Sequence, residues 1–389
     1  MSLKNLSLAL ACVTAFSAAP SFAMDQMNVS PLLSLDKSGS SLVCGDALQT
    51  ICRDTEADRR ERDQRVNALK NEIASEAARN AAPRIEEMKR QIKPIHFIKR
   101  MVATIKIKNQ EIMKSASKRI AGFEGQTINA TNVNRIKDYM YQAIDTSKFD
   151  STTKNNFKNT VKSIVVGNFN DYIERTNLDD NVLAQLMGNA CGSDGMVENA
   201  FATTIGSDKY VLICPGFLIG LNETPNESER FNSVLQAISH EMAHHIDNSK
   251  VGNELYSPFL NCVANNYADQ FNKTKDDTKF CKKNEKDPAA CNLKVTVSHA
   301  GELVADAWGI KVLNLHMRNQ SYSFAQADEL LTQSWVKLCD TGDEGIHPTG
   351  DFRIGTMLRK SPEISNYLAC DNSQVSTKPA CTLEGAVNL

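Results

Sequence analysis

The chain has 389 residues, with 44 Lys and Arg against 46 Asp and Glu and a formal net charge of −2. Opposite charges nearly cancel, which gives no reason to expect nucleic acid as a partner. The length suffices for one large domain or two smaller ones with a sizeable core.

Residues 1–23 read as a secretory signal peptide. Lys4 precedes an apolar run from Leu6 to Ala19, and Ser21 and Ala23 supply small residues at the −3 and −1 positions of a cleavage site. The run is too short to span a bilayer, and no later stretch is apolar for long enough. The expected location is therefore secreted or periplasmic. Leu10-Ala11-Cys12 resembles a lipoprotein signal, although the apolar segment before it is very short. Ten cysteines follow the leader: Cys44, Cys52, Cys191, Cys214, Cys262, Cys281, Cys291, Cys339, Cys370 and Cys381. An even number in an exported chain points to as many as five disulfides, and the lack of a Cys-x-x-Cys pair argues against a cysteine metal site.

Residues 24–41 read as a polar lead-in. Residues 54–92 are dense in Arg, Glu, Asp, Lys and Ala, which predicts a long solvated helix with a break near Pro83. A second helix is predicted over 97–120, with Ile98, Met101, Ile105, Ile112 and Ile120 forming an apolar stripe that reads as core. Further helices are expected at 131–144, 151–166 and 180–187. The Gly-, Asn- and Ser-rich stretch 188–195 marks a boundary between a helical N-terminal region, 24–190, and a second domain, 191–389. The second domain opens with two short strands, 197–204 and 209–214, joined around Gly206-Ser207. A loop at 222–229 leads into a helix, 252–290 reads as irregular, and helices are predicted at 297–318 and 323–338. The stretch 341–350 is a loop, and 352–368 mixes loop and helix. The fold class is thus mostly α with a small β-sheet.

The helix after the 222–229 loop contains His240-Glu241-Met242-Ala243-His244. Positions i and i+4 share one helix face, so two imidazoles can bind one zinc ion while Glu241 reaches a water beside it. A catalytic zinc needs a third protein ligand. Glu302 in Gly301-Glu302-Leu303-Val304-Ala305-Asp306 can supply it, and Asp306, one turn on, can orient a zinc-binding His. Asp247 can do the same for the other. His347 and Arg353 are candidates for steadying an oxyanion. His245 lies about 100° around the helix from His244 and is not expected to be a ligand. His299 is a rival for the third position, and His96 and His316 read as structural or exposed.

With these residues the chain resembles the neprilysin family of zinc endopeptidases. Asn199-Ala200-Phe201 resembles its Asn-Ala-aromatic strand, His240-Glu241-x-x-His244-x-Ile246-Asp247 its zinc helix, and Gly301-Glu302-x-x-Ala305-Asp306 its third-ligand helix. His347, Phe352-Arg353-Ile354, Ser361-Pro362-Glu363 and Cys370 resemble its C-terminal block. The prenyl-protease and HtpX-like peptidases fit almost as well, through His347-Pro348 followed by Arg353.

The resemblance implies a zincin-type catalytic half and one Zn2+ per chain, bound by His240, His244 and Glu302. Glu241 would be the general base, and Asp306 and Asp247 would orient the imidazoles. His347 would stabilise the oxyanion, and Arg353 would hold a substrate carbonyl or the framework of the site. Asn199 and Ala200 would bind the backbone of a peptide or protein substrate. It also implies the disulfides Cys44–Cys370 and Cys52–Cys339, with Cys381 paired to Cys281. The function implied is a zinc metalloendopeptidase. The alternative is an inactive peptidase scaffold that binds peptides or a partner protein. The sequence does not indicate an oligomeric state.

Overall fold

A computed structural model describes residues 41–53, 56–119, 128–168, 190–192, 196–222, 227–246, 254–339, 347–371 and 378–387. The expected leader, the lead-in up to residue 40, the 180–187 helix, most of the 188–195 and 341–350 loops, Ile120 and Asp247 lie outside these residues. The described chain is mostly helical with a small mixed sheet.

The N-terminal elements are α1 (Leu42–Gly45), α2 (Ala47–Ile51), α3 (Glu56–Gln91), α4 (Phe97–Arg119), α5 (Ala130–Thr146) and α6 (Ser151–Ser163). Strand β1 (Val165–Asn168) follows directly. The helix expected at 151–166 therefore stops early. Ile164 turns to extended backbone, and the β-branched Val165-Val166 pair joins a sheet instead. β1 runs parallel to β3 (Asp208–Ile213), which pairs antiparallel with β2 (Ala200–Ile205) across the Gly206-Ser207 turn, giving the order β1-β3-β2. Among the described residues β2 is an edge of this sheet.

The rest of the chain contributes α7 (Pro215–Asn222), α8 (Glu227–Ile246), α9 (Ser257–Tyr267), α10 (Lys275–Lys283), α11 (Pro288–Ser298), α12 (Ala300–Gln320) and α13 (Phe324–Trp335). A short helix α14 (Gly350–Phe352) continues as a π-helical stretch, Arg353–Leu358, before α15 (Pro362–Tyr367) and the hairpin β4 (Ala380–Thr382) and β5 (Gly385–Val387). α8 and α12 lie side by side at the centre, with α13, α5 and β2 against α8. Both central helices are buried on nearly every face, as their apolar and small residues require. One apolar core joins Val43, Ile136 and Met140 from the N-terminal elements to Ile238, Trp308 and Trp335.

Three further expectations about the helices are corrected. α3 runs through Pro83 without a break. A mid-helix proline costs about 3 kcal/mol, but α3 packs along α4, with Ala77 and Ala81 buried before the proline, Met88 buried after it, and Arg84 paired with Glu111 of α4. The α4 stripe is core only toward its C-terminal end. Ile112 is buried, whereas Ile98 and Met101 are exposed. Residues 252–290 are helical wherever described from Ser257 on, apart from short connections. Polar residues and prolines in this stretch serve as helix starts: Thr274 and Asp277 form a capping box, Asp287 caps α11, and Pro258 and Pro288 occupy first turns.

Five disulfides are present: Cys44–Cys370, Cys52–Cys339, Cys191–Cys214, Cys262–Cys381 and Cys281–Cys291. The first two are as the resemblance implied. The expected Cys281–Cys381 pair is not formed. α10 and α11 are joined by a short turn that sets Cys281 beside Cys291, and β4 lies over α9, which brings Cys381 to Cys262. No helix among the described residues is long and apolar enough to cross a membrane.

Candidate metal centre

His240 and His244 stand one turn apart on α8, and Glu302 stands in the first turn of α12, where the two helices pack. The ligand atoms of these three residues all lie within 4.8 Å of one another, a group that could hold a metal ion. His240 Nε2 is 3.2 Å from His244 Nε2 and 3.2 Å from Glu302 Oε2, and His244 Nε2 is 3.5 Å from Glu302 Oε1. His240 and Glu302 are buried, and His244 is half-buried at the open side.

The surrounding residues fix this trio. His240 Nδ1 lies 3.0 Å from Asp306 Oδ1. An ionised carboxylate can only accept, so Nδ1 carries a proton, and in the neutral imidazole Nε2 presents its lone pair to the centre. Asp306 is fully buried and takes two further bonds, from Arg353 Nε and from the terminal guanidinium nitrogen Nη2, each at 2.6 Å. Arg353 reaches it from the π-helical stretch that begins after the Thr349-capped turn of α14. Its guanidinium is thus committed to Asp306. His347, just before that turn, places Nε2 3.3 Å from Glu302 Oε1.

Glu241 is buried, and its Oε2 accepts from the Ala202 N–H on β2 at 2.8 Å. Sequence reading missed this contact, and no side-chain pattern could have shown it, because the donor is backbone. Ala200 begins β2. Asn199 precedes it with a buried side chain whose Nδ2 donates to the Ala190 carbonyl at 3.1 Å. His245 points away from the trio and lies 2.9 Å from the Tyr210 carbonyl on β3. His299 stands at the junction of α11 and α12, with Nδ1 2.9 Å from the Val295 carbonyl and its ring stacked on Phe271, and is not in the converging group. His316 is buried against Tyr139, and His96 is exposed.

The electrostatics follow from burial and these neighbours. Burial disfavours ionisation of both carboxyls. At Asp306 the Arg353 charge outweighs it, and at Glu302 the imidazoles of His244, His240 and His347 do so, holding Glu302 well below the usual carboxylate range. Burial also opposes the His240 imidazolium, yet the Asp306 and Glu302 carboxylates overcome it and raise His240 to about 10. Burial pushes Glu241 up to about 8.

The residues fit a bound cation. The lone pairs of His240 and His244 converge with a carboxylate, and Glu302 Oε2 is a buried oxygen with no hydrogen bond although His240 Nε2 is near it. Such a set needs positive charge at its centre, from a proton on an imidazole or from a metal ion. Two nitrogens and one carboxylate oxygen are ligands that borderline divalent metals accept. No known family model matches the chain, and a search of curated proteins found no match.

Proposed function

We propose that this protein is a zinc-dependent metallopeptidase that hydrolyses peptide bonds. One observation supports it above the rest: His240, His244 and Glu302 converge while Glu241, beside the first ligand, is anchored by one oxygen and keeps the other for chemistry. Zinc at the trio would supply Lewis-acid polarisation of the scissile carbonyl and activation of water, with one coordination position left open by a three-ligand set.

The chain's own groups take the remaining roles. Ala202 N–H holds Glu241 Oε2, which leaves Oε1 to take a proton from the attacking water and return it to the departing amine. Burial brings this carboxyl toward neutrality, the range in which a proton shuttle works best, and a cation at the trio draws it down again. Asp306 fixes the His240 tautomer, and Arg353 fixes Asp306. His347 offers an N–H close to Glu302, where charge on a tetrahedral oxygen would develop. The Ala202 N–H faces away from β3, so by the alternation of an antiparallel ladder the backbone of Ala200 faces the same open edge, along which an extended peptide can pair.

The resemblance to neprilysin-type peptidases, and to the prenyl-protease and HtpX-like enzymes, supports the same chemistry. Five disulfides support an oxidising compartment, secreted or periplasmic. The test is metal content and cleavage of a mixed peptide library for wild type and Glu241→Gln side by side. We expect about one zinc per chain in both and cleavage only by wild type, reduced at least about a thousandfold in the variant. Metal in both without cleavage in either would favour a retired scaffold that binds peptides. No metal in the oxidised protein would remove the reading.

A further inference from the structure

The hairpin of α3 and α4 ends in a surface that the metal centre does not use. Its base packs on the body through Ile73, Ala77, Ile112 and Ala116 against Met196 and Ile219. From Ala77 the helix α3 continues to Gln91, roughly 20 Å at 1.5 Å per residue. At the far end Ile95 is 84% exposed, Phe97 70%, Ile98 64% and Met101 47%. Phe97, Ile98 and Met101 are spaced to share one side of the first turns of α4.

The tip is built rather than frayed. Arg100 on α4 reaches back to the end of α3, donating from Nε to the Ile92 carbonyl at 2.7 Å and from its terminal nitrogen to the Lys89 carbonyl. These carbonyls belong to the helix C-terminus, where a cation is favoured. The apolar side chains are thus displayed on a fixed knob.

Charge at the tip itself has one sign. Residues 88–110 contain seven Lys and Arg and no Asp or Glu, a local excess hidden by the near-neutral total. Lys93 and Lys99 flank the apolar side chains and are exposed. Lys89 and Arg90, one turn back on α3, pair with Glu86 and Glu87.

We propose that this tip docks the protein on an anionic bilayer surface. Ile95, Phe97, Ile98 and Met101 enter the boundary between headgroups and acyl chains, while Lys93 and Lys99 meet lipid phosphates. Exposed apolar side chains with a basic collar match an interface that is apolar beneath and negative above. A projecting convex tip suits a deformable surface, whereas a protein partner would need a matching apolar pocket lined with acid. The proposal does not rest on the peptidase reading.

The test is co-sedimentation of the oxidised full-length mature protein with vesicles of phosphatidylcholine alone or of equal parts phosphatidylcholine and phosphatidylglycerol. We expect binding to the anionic vesicles, weak binding to the neutral ones, and a decline with added salt. Phe97→Ser with Ile98→Ser should lower partitioning at least about tenfold. Lys93→Glu with Lys99→Glu should lower it roughly fivefold or more for each charge lost. All four positions are exposed, so circular dichroism and thermal unfolding should be unchanged. No binding to either vesicle would overturn the proposal, as would anionic binding that survives both double substitutions or equal binding to neutral lipid. Self-association abolished by Phe97→Ser with Ile98→Ser, without vesicle binding, would assign the tip to a second copy of the chain instead.

Discussion

Arg353 grips Asp306 with two parallel bonds of 2.6 Å, and both side chains are shut away from solvent. Through Asp306 the grip reaches His240, so the orientation of an imidazole on α8 is set by a residue more than a hundred positions later. A planar guanidinium makes both bonds at once, and an ammonium cannot. Arg353→Lys should keep the charge yet weaken metal binding about tenfold to a hundredfold, measured by competition with a chelating dye. Arg353→Met leaves the buried carboxylate without its counter-charge and should cost about 3–5 kcal/mol in denaturant unfolding. Equal metal affinity in wild type and Arg353→Lys would show that Asp306 does not need the fork to hold His240.

His316 gives the fold a pH dependence away from the candidate metal centre. It is buried with Tyr139 and Tyr322 around it, and burial, reinforced by the Arg135 charge, lowers it to about 4. A histidine with a depressed folded pKa is neutral in the fold while the unfolded chain takes up a proton below about 6.5. The His316 contribution to stability is therefore undiminished above pH 6.5 and falls as the pH drops from there toward 4, by a few kcal/mol in all. Urea unfolding of His316→Gln against wild type should show this slope flattened in the variant. An unchanged slope would locate the acid sensitivity elsewhere.

The disulfides Cys44–Cys370 and Cys52–Cys339 are nested, so their contributions to stability depend on each other. With one in place, the other closes a loop of only roughly 40 residues, and its loss should cost about 4 kcal/mol in the chain-entropy account. With neither, the long span between the termini is released, and the double loss should approach about 9 kcal/mol. Unfolding of Cys44→Ser with Cys370→Ser, of Cys52→Ser with Cys339→Ser, and of the quadruple variant distinguishes this from simple addition. A quadruple variant no less stable than either double variant would mean that the apolar core alone holds the N-terminal segment.

What could be read in the chain was read from local spacing. His240 and His244 share a face because any α-helix puts i and i+4 together, and the same rule sets Glu302 and Asp306 one turn apart. The β2–β3 hairpin was visible because its turn and strands are adjacent in sequence. By contrast, Val165 and Val166 read as the end of a helix because their partner, β3, comes some forty residues later. Thr274, Asp277, Asp287 and Pro288 read as loop because the residues that favour turns also favour helix starts, and only the capping geometry separates the two.

The sequence by itself determined the candidate ligand types, their spacing on two helices and the even set of cysteines. Tertiary structure decided the rest: the Ala202 N–H on Glu241, the assignment of Arg353 to Asp306, the pairing of Cys381 with Cys262, and the exposure of one end of the α4 stripe while the other end is buried. The physical reason is the same in each case. A side chain's type and helical phase are local properties, but a hydrogen bond, a disulfide or a buried face needs a second surface, and distant packing determines whether one is there.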